Sequence, residues 1–400
     1  MTNVILFDDK NVRDNLLPFT YTRPVALIRV GITNLDSKWK ALIGEARLSY
    51  LTSCDYLSTK YSCSVARDNL FVAGHIIPSA AMLKAVMQLQ PGQALKADSE
   101  VIAFRGALSE FQTGKFSSAV QFQQQFLAIR QLYDIFELNA QVLEQDFRLL
   151  TAGRKSAPLS PSNRIIGDIQ FPDGKPKIFV EPGAYVEGAC INVNAGPVYI
   201  GKNVEIMEGA CIRAPFAACH DAKVRMGAKI YGATTLGPFC KVGGEIENSV
   251  MFGFSNKAHD GYIGDAVIGE WCNIGGGTTA SNLKNDYGEI RVWNYPAQRF
   301  LKTGRQFCGL FMGDHSKTGV NCMINTGTVL GVGVNIHGAG FPRNFVPSFS
   351  EGGSTSGFKD VSLATFFSIA ERVMQRRGVT LSDDDKRIFT AIYNQADNYK

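Results

Sequence analysis

The sequence predicts two folds in one chain: an α/β domain, then a left-handed parallel β-helix of hexapeptide repeats that ends in a short helical tail. Three observations predict this. Strand-like and helix-like runs alternate over residues 1–157. From Lys177 glycine becomes dense and aliphatic residues recur at every sixth position. Past Pro347 the repeat gives way to a Gly/Ser stretch and two amphipathic segments.

In the first region, residues 4–7 and 101–104 read as strands, and residues 80–89 and 119–138 as helices, an alternation typical of α/β domains. Pro158, Pro161 and the serines between them open a linker expected over residues 158–176.

The second region, 177–347, carries the repeat. Met312, Thr318, Ile324, Leu330 and Ile336 step by six without a break, as do Val224, Ile230, Leu236 and Val242. Val180 and Val186 match, and so do Val198, Val204 and Ala210. A six-residue unit supplies one short strand and one tight turn. Three units close a triangular coil, and stacked coils bury a continuous core. A flat antiparallel domain would show period two instead. The period fails over 282–309, where NLKNDYGEIRVWNYPAQRFLKTGRQF must leave the coil as an inserted loop. In the tail, 348–400, SFSEGGSTSGF reads as a flexible connector. One helix is expected from Asp360 and a second from Ser382 and the acids after it.

Composition narrows the function classes. The 400 residues carry a formal net charge of only +5 and no run of Lys/Arg, which argues against a nucleic-acid partner and leaves small anionic substrates. Nine cysteines without a CxxC pair read as reduced thiols. The opening MTNVILFDD lacks a basic n-region and no apolar run reaches membrane-spanning length, so a cytoplasmic protein with no membrane partner is expected. No two histidines show metal-ligand spacing, and no structural zinc is expected.

Residues 255–282 read SNKAHDGYIGDAVIGEWCNIGGGTTASN. His259, Tyr262, Ile263-Gly264-Asp265, the run Asn273-Ile274-Gly275-Gly276-Gly277-Thr278, and Asn282 stand out from an otherwise degenerate repeat. This segment resembles the acetyltransferase half of the bifunctional glucosamine-1-phosphate N-acetyltransferase / N-acetylglucosamine-1-phosphate uridylyltransferase family. The downstream run GLFMGDHSKTGVNCMINTGTVLGVGVNIHGAG is similar to its archaeal sugar-phosphate versions. The resemblance implies an acetyl-CoA-dependent N-acetyltransferase acting on an amino-sugar 1-phosphate, glucosamine 1-phosphate first among candidates, in UDP-N-acetylglucosamine synthesis. Acetyl transfer to an amine needs a base that takes the amine proton, and histidine is the natural choice; His259 is the candidate. The resemblance places Tyr262 and Asn273 at the sugar phosphate and Asn282 near the amine and acetyl group. Backbone N–H groups of residues 275–277 are candidates for the oxyanion. Lys257, Lys284 and Lys302 are the cations nearest in sequence for the phosphate. Proteins of this kind build the site between neighbouring prisms, so a homotrimer is expected. The bland reading of His259 is a histidine satisfied at a coil turn. His315 and His337 sit in regular repeats, and His75 and His220 have no motif around them.

Residues 4–31, VILFDDKNVRDNLLPFTYTRPVALIRVG, look like a worn sugar-nucleotidyltransferase signature. Arg13 falls at the signature arginine, while Asp8, Asp9, Lys10 and Asn11 stand where loop glycines would approach phosphate. Two readings stay open. In one, Asp8 and Asp9 hold Mg²⁺ while Arg13, Arg23 and Arg29 hold UTP or another nucleoside triphosphate and the sugar phosphate. In the other, the domain binds a sugar nucleotide or only stabilises assembly, and the acids cap the next helix. For the whole chain, the alternatives are an acyltransferase for another amino-sugar acceptor and a non-catalytic trimeric scaffold that binds sugar nucleotide.

Overall fold

The computed structural model describes residues 2–399. They form two compact units: one runs through Ile28 and resumes over Thr33–Asp134, and the other takes Arg29–Ile32 and the chain from Ile135 onward.

The first unit is built on a six-stranded sheet in the order Ala46–Leu51, Thr2–Phe7, Asn69–Ala73, Glu100–Gly106, Gln93–Ala97, Ser118–Gln121. The apolar run of Thr2–Phe7 takes an inner position, parallel to both neighbours, and Val4 and Ile5 are fully buried. A run buried on both faces is what an inner parallel strand requires. Helices Leu35–Ile43 and Ala80–Met87 pack on this sheet, with Trp39, Met82 and Val86 at zero exposure. Residues 119–138 do not form the expected helix. Ser118–Gln121 is an exposed edge strand, Leu127–Ala128 pairs with Ile76–Ile77, and helix is confined to the short Asp134–Glu137. Val120 and Phe122 alternate with Gln121 and Gln123, and pairing with Gln93–Ala97 overrides the helical preference of Ala and Gln.

The second unit is a parallel β-helix with three faces. Val198–Ile200 lies in a nine-stranded sheet, Glu205–Ile206 in a five-stranded one and Cys211–Arg213 in an eight-stranded one, before Phe216–Ala218 returns to the first. Val198 pairs with Phe216 and Phe216 with Thr234, so a coil takes eighteen residues, three units of six. Each unit sends two side chains inward, as with Val198/Ile200, Val204/Ile206 and Ala210/Ile212, all at 0–1% exposure. The stepping aliphatics are this core column. Pairing begins at Arg164–Ile166, which joins Cys190–Asn192. Between Ala280 and its partner Ile324 a coil lengthens to forty-four residues. The extra chain is a hairpin of Arg291–Asn294 and Arg299–Lys302, closed at its base by the pair Leu283/Phe307.

The Gly/Ser stretch after Pro347 is ordered. Ser350–Gly353 extends the last coil beside Asn335–Ile336 and turns back antiparallel with Gly357–Asp360. The glycines that suggest a flexible connector serve close backbone approach: a Cβ on Gly352 would lie 1.9 Å from the Gly357 carbonyl oxygen. Asp360 ends that hairpin, and the helix begins at Leu363, where the Ser362 hydroxyl accepts from the Thr365 amide. Ser382 caps the second helix, Asp383–Ala396, with Asp385 closing a capping box. Phe366 of the first helix packs on Phe349 of the last coil, and Phe389 of the second packs on Phe366.

Candidate functional site

His259 lies at the corner between the face holding Asn256–Lys257 and the face holding Tyr262–Gly264, with its side chain exposed. Two glycines make this corner possible. Gly261 has φ +116° and a Cβ there would sit 2.1 Å from the Thr278 carbonyl oxygen; Gly277 has φ +73° and a Cβ would sit 1.9 Å from Asn321 Oδ1. Gly276 lies beneath His259, since a Cβ on it would be 3.3 Å from the histidine Cβ. Of the three amides expected to serve an oxyanion, two are already used: Gly275 N–H donates to the Thr318 carbonyl and Gly277 N–H to the Asp260 carbonyl. Gly276 N–H has no partner among the described residues.

Lys257, read as a phosphate ligand, is instead inside the coil. It pairs with Val242 in the core column and is 1% exposed, and its ammonium donates to the carbonyls of Gly243 at 3.1 Å and His259 at 2.7 Å. Burial holds its pKa down at about 8. A cation tied to the His259 backbone is suited to fix that corner. Lys257→Met keeps the volume, removes the buried charge and releases the carbonyl. We expect the melting temperature to move by only a few degrees, because swapping a buried charge for an apolar group is often close to neutral, while kcat of any reaction catalysed at this corner falls about tenfold with little change in KM. An unchanged kcat would remove this role.

Tyr262 and Asn282 meet at the far corner of the same face. The Tyr262 hydroxyl donates to Glu247 Oε2 at 2.8 Å, and Asn282 Nδ2 donates to Asp265 Oδ2 at 2.6 Å. Asn248 Nδ2 holds the other Asp265 oxygen at 2.6 Å. A Cβ on Gly264 would touch both the Tyr262 hydroxyl and Asn282 Nδ2, so the two side chains converge there. Burial, and then the bond to Glu247, push the Tyr262 phenol well above its ordinary range, so it stays a neutral donor. Burial likewise raises Asp265, against the two amide bonds. With its nitrogen committed to Asp265, Asn282 offers Oδ1 as an acceptor. The cluster is one of acceptors and holds no cation. Glu247 and Asn248 were not legible as site residues, because they sit one coil earlier and reach Tyr262 and Asp265 only through the stacking register Glu247/Gly264.

The register also separates the predicted set. His259 stacks level with Gly276, and Asn282 level with Asp265, so six positions along one face divide them, on the order of 15–20 Å. Asn273 is on the neighbouring face, bridged between Asn256 and Lys317.

Lys284 and Lys302 come together at a cleft of about 1280 Å³ beside the inserted hairpin, which Ser281 and Leu283 line on either side of Asn282. Arg291 and Arg343 line it too, with Trp293 and Phe300. Lys284 pairs with Asp286 at 3.1 Å and Lys302 with Glu289 at 3.3 Å. Arg343 has no ion pair among the described residues. Trp293 stacks on Phe345 at 4.2 Å, which holds the hairpin against the last coils.

In the first unit, Asp9 caps the helix Lys10–Asn15 by accepting from the Val12 amide at 3.0 Å. Asp8 Oδ1 accepts from the Val25 amide at 2.9 Å, and Oδ2 is buried without a partner. The two carboxylates thus serve different backbone groups. Among the described residues no group of three or more His, Cys, Asp or Glu side chains gathers to hold a metal. Arg13 is buried, with Nη2 donating to the Tyr56 hydroxyl at 2.6 Å and Nη1 to Asp14 at 2.8 Å. Arg23 is buried as well. Arg29, in the other unit, donates to the Phe252 carbonyl at 3.0 Å and to the Ile32 carbonyl.

Burial raises Asp8 from 3.8 to about 6, against its Val25 bond and the Arg13 charge. An acid raised on folding keeps its proton longer in the native state. Stability is therefore full below about pH 4 and is lost as pH rises through 6, by about 3 kcal/mol at neutral pH. Asp8→Asn is expected to melt above the wild type at pH 7.5, with the gap closing toward pH 4. A gap that widens on acidification would contradict this sign.

Residues 4–155 match the family model described as sugar nucleotidyl transferase. A bifunctional sugar-1-phosphate nucleotidylyltransferase/acetyltransferase of Sulfurisphaera tokodaii is 32% identical over 144 residues, 36% of this chain and 35% of that protein. The chain resembles the bifunctional sugar-1-phosphate nucleotidylyltransferase/acetyltransferases. The bifunctional protein GlmU of Synechococcus sp. strain CC9311 is 31% identical over 174 residues, 41% of this chain and 34% of that protein. The chain thus spans about a third of the length of the curated relatives it matches. Among solved structures, the D94A mutant of AntD, an N-acyltransferase from Bacillus cereus in complex with dTDP and coenzyme A, matches with 17% identity over 41% of this chain and 83% of that one, at a TM-score of 0.25. LpxA, a UDP-N-acetylglucosamine acyltransferase from Bacteroides fragilis, matches with 17% identity over 55% and 83%, at 0.22. The β-helix itself rests on the strand register above. No helix of the described residues is long and apolar enough to cross a membrane.

Proposed function

We propose that the β-helical half transfers an acetyl group from acetyl-CoA to the amine of an amino-sugar 1-phosphate, with glucosamine 1-phosphate as the first candidate, in the cytoplasmic synthesis of a UDP-linked N-acetyl sugar. The observation that carries this is the acceptor cluster at Asn282, whose chain neighbours Ser281 and Leu283 line a cleft that holds Lys284, Lys302, Arg291 and Arg343 together with Asp286 and Glu289. Asn282 Oδ1, oriented through Asp265, accepts from the sugar amine, while Lys284, Lys302, Arg291 and Arg343 take the phosphate. The acceptor oxygens beside Tyr262 repel phosphate and favour N–H, so the lysines of the inserted hairpin, and not Lys257 or Asn273, hold the anion.

The step is a simple addition and elimination. The amine nitrogen attacks the thioester carbon, His259 takes the proton the amine gives up, and the Gly276 N–H donates to the developing oxyanion. The carbon–sulfur bond then breaks and the thiolate leaves as coenzyme A with that proton. Because six positions divide His259 from Asn282 on one copy, the reading includes a homotrimer in which His259 of one copy faces Asn282 of the next. Thiol release from acetyl-CoA with glucosamine 1-phosphate tests the reading. Release above background in the wild type and its loss in His259→Ala support it; no release in either overturns it.

The family match over residues 4–155 supports a second activity, uridylyl transfer by the N-terminal half. Pyrophosphate release from UTP and N-acetylglucosamine 1-phosphate with Mg²⁺ tests it. Burial of Arg13 and use of Asp9 as a helix cap weigh against it.

A further inference from the structure

The face next to the one holding Tyr262 and Asn282 carries a second polar feature that none of the residue roles above uses. Stacking puts Lys223, Lys241, Asn256, Asn273 and Lys317 in one outward column, rung over rung about 4.8 Å apart. The end of helix Leu363–Gln375 brings Arg376 and Arg377 over this column and closes a cavity of about 430 Å³, walled by Phe254 and Trp271. Its lining holds four cations, Lys241, Lys317, Arg376 and Arg377, and no carboxylate.

The partners of these cations are neutral. Lys317 donates to the His315 carbonyl at 2.8 Å, and Arg377 donates to the Phe239 carbonyl at 3.2 Å and Asn256 Oδ1 at 3.3 Å. Lys241 and Arg376 have no ion pair or side-chain hydrogen bond among the described residues, and neither has the amide of Asn273. Lys241 is held below its ordinary pKa by burial and then by the charges of Arg377, Lys223, Arg225 and Arg376.

A solvated basic surface is the plain alternative, and arginines near a helix C-terminus do complement its dipole. That dipole offsets about half a charge, against four cations around one cavity. The aromatic column beside it is already self-stacked, Phe239 on Phe254 at 4.9 Å and Phe254 on Trp271 at 4.1 Å, so it offers ring edges and no free face for a base. What the cavity reads is therefore charge and oxygen.

We propose that this cavity binds the diphosphate group of a phosphorylated ligand, with Lys241, Arg376 and Arg377 neutralising it and the Asn256 and Asn273 amides donating to its oxygens. The inference does not depend on acetyl transfer. Coenzyme A and a nucleoside diphosphate both carry such a group, and the test separates them.

Calorimetric titration of the full chain with inorganic pyrophosphate, coenzyme A and UDP, without divalent metal, is expected to show binding of at least one. Lys241→Ala and Arg376→Ala are each expected to weaken that binding at least tenfold and to raise the melting temperature of the ligand-free protein, since each relieves repulsion. Binding of coenzyme A alone assigns the source to the acyl donor, and binding of UDP or pyrophosphate to a nucleotide or free diphosphate. No binding of any of the three, or binding that both variants leave unchanged, overturns the proposal. Acetyl-transfer activity is read separately, so its absence leaves this result standing.

Discussion

Replacing His259 with alanine is expected to lower kcat for acetyl transfer by about 10²- to 10⁴-fold, the range a positioned general base contributes, with KM for both substrates little changed. The side chain is exposed at its corner, and among the described residues it makes no side-chain hydrogen bond that the substitution would remove. Its backbone carbonyl keeps the Lys257 bond in the variant. The melting temperature should therefore stay within a degree or two, since exposed substitutions rarely exceed about 0.5 kcal/mol. A large loss of kcat with an unmoved melting temperature separates a proton acceptor from a histidine that only fills a coil turn. The measurement is steady-state thiol release beside thermal melts of both proteins.

The second large effect concerns where the two halves of the site come from. Asn282→Ala is expected to abolish acceptor turnover much as His259→Ala does, because Asp265 then loses one of its two amide partners and the amine its acceptor. If one site takes His259 from one copy and Asn282 from the next, the two inactive variants complement each other. Co-expressed in equal amounts under different tags and purified through both, they should recover up to about one third of wild-type activity, since each mixed trimer holds one interface in three that joins two intact residues. A site closed within one copy recovers nothing. The 15–20 Å set by six positions along the face makes complementation the expected result.

The β-helix was legible because its rule is local. An inward, mostly aliphatic residue recurs about every sixth position from Val180 to Ile336 outside the inserted hairpin, and these residues stack into one core. The α/β sheet was legible in its inner strands, Thr2–Phe7 and Glu100–Gly106, where apolar runs must be buried. Residues 119–138 were not, since the edge strand Ser118–Gln121 is decided by its neighbour Gln93–Ala97 and not by its own propensity. The hairpin Ser350–Gly353 with Gly357–Asp360 was missed for a related reason: glycines chosen for close packing look, in sequence, like glycines chosen for freedom.

The candidate site was legible as a motif but not as a geometry. His259, Tyr262, Asn273 and Asn282 stand together in sequence, yet a solenoid sorts neighbours in sequence onto different faces. It joins Tyr262 to Glu247, and both Asn282 and Asn248 to Asp265, and it sends Asn273 to the column between Lys241 and Lys317. Lys257 looks like a surface cation in the sequence. Only the pairing with Val242 shows that it occupies a core position under the His259 corner.

The most direct test of the acetyl-transfer assignment is a crystal structure with coenzyme A bound. The thiol is expected at the His259 corner, over Gly276, with room for an amine between sulfur and imidazole at reacting distances of about 3–3.5 Å. Coenzyme A seated with its thiol on another face of the coil, away from His259 in every copy, would contradict it.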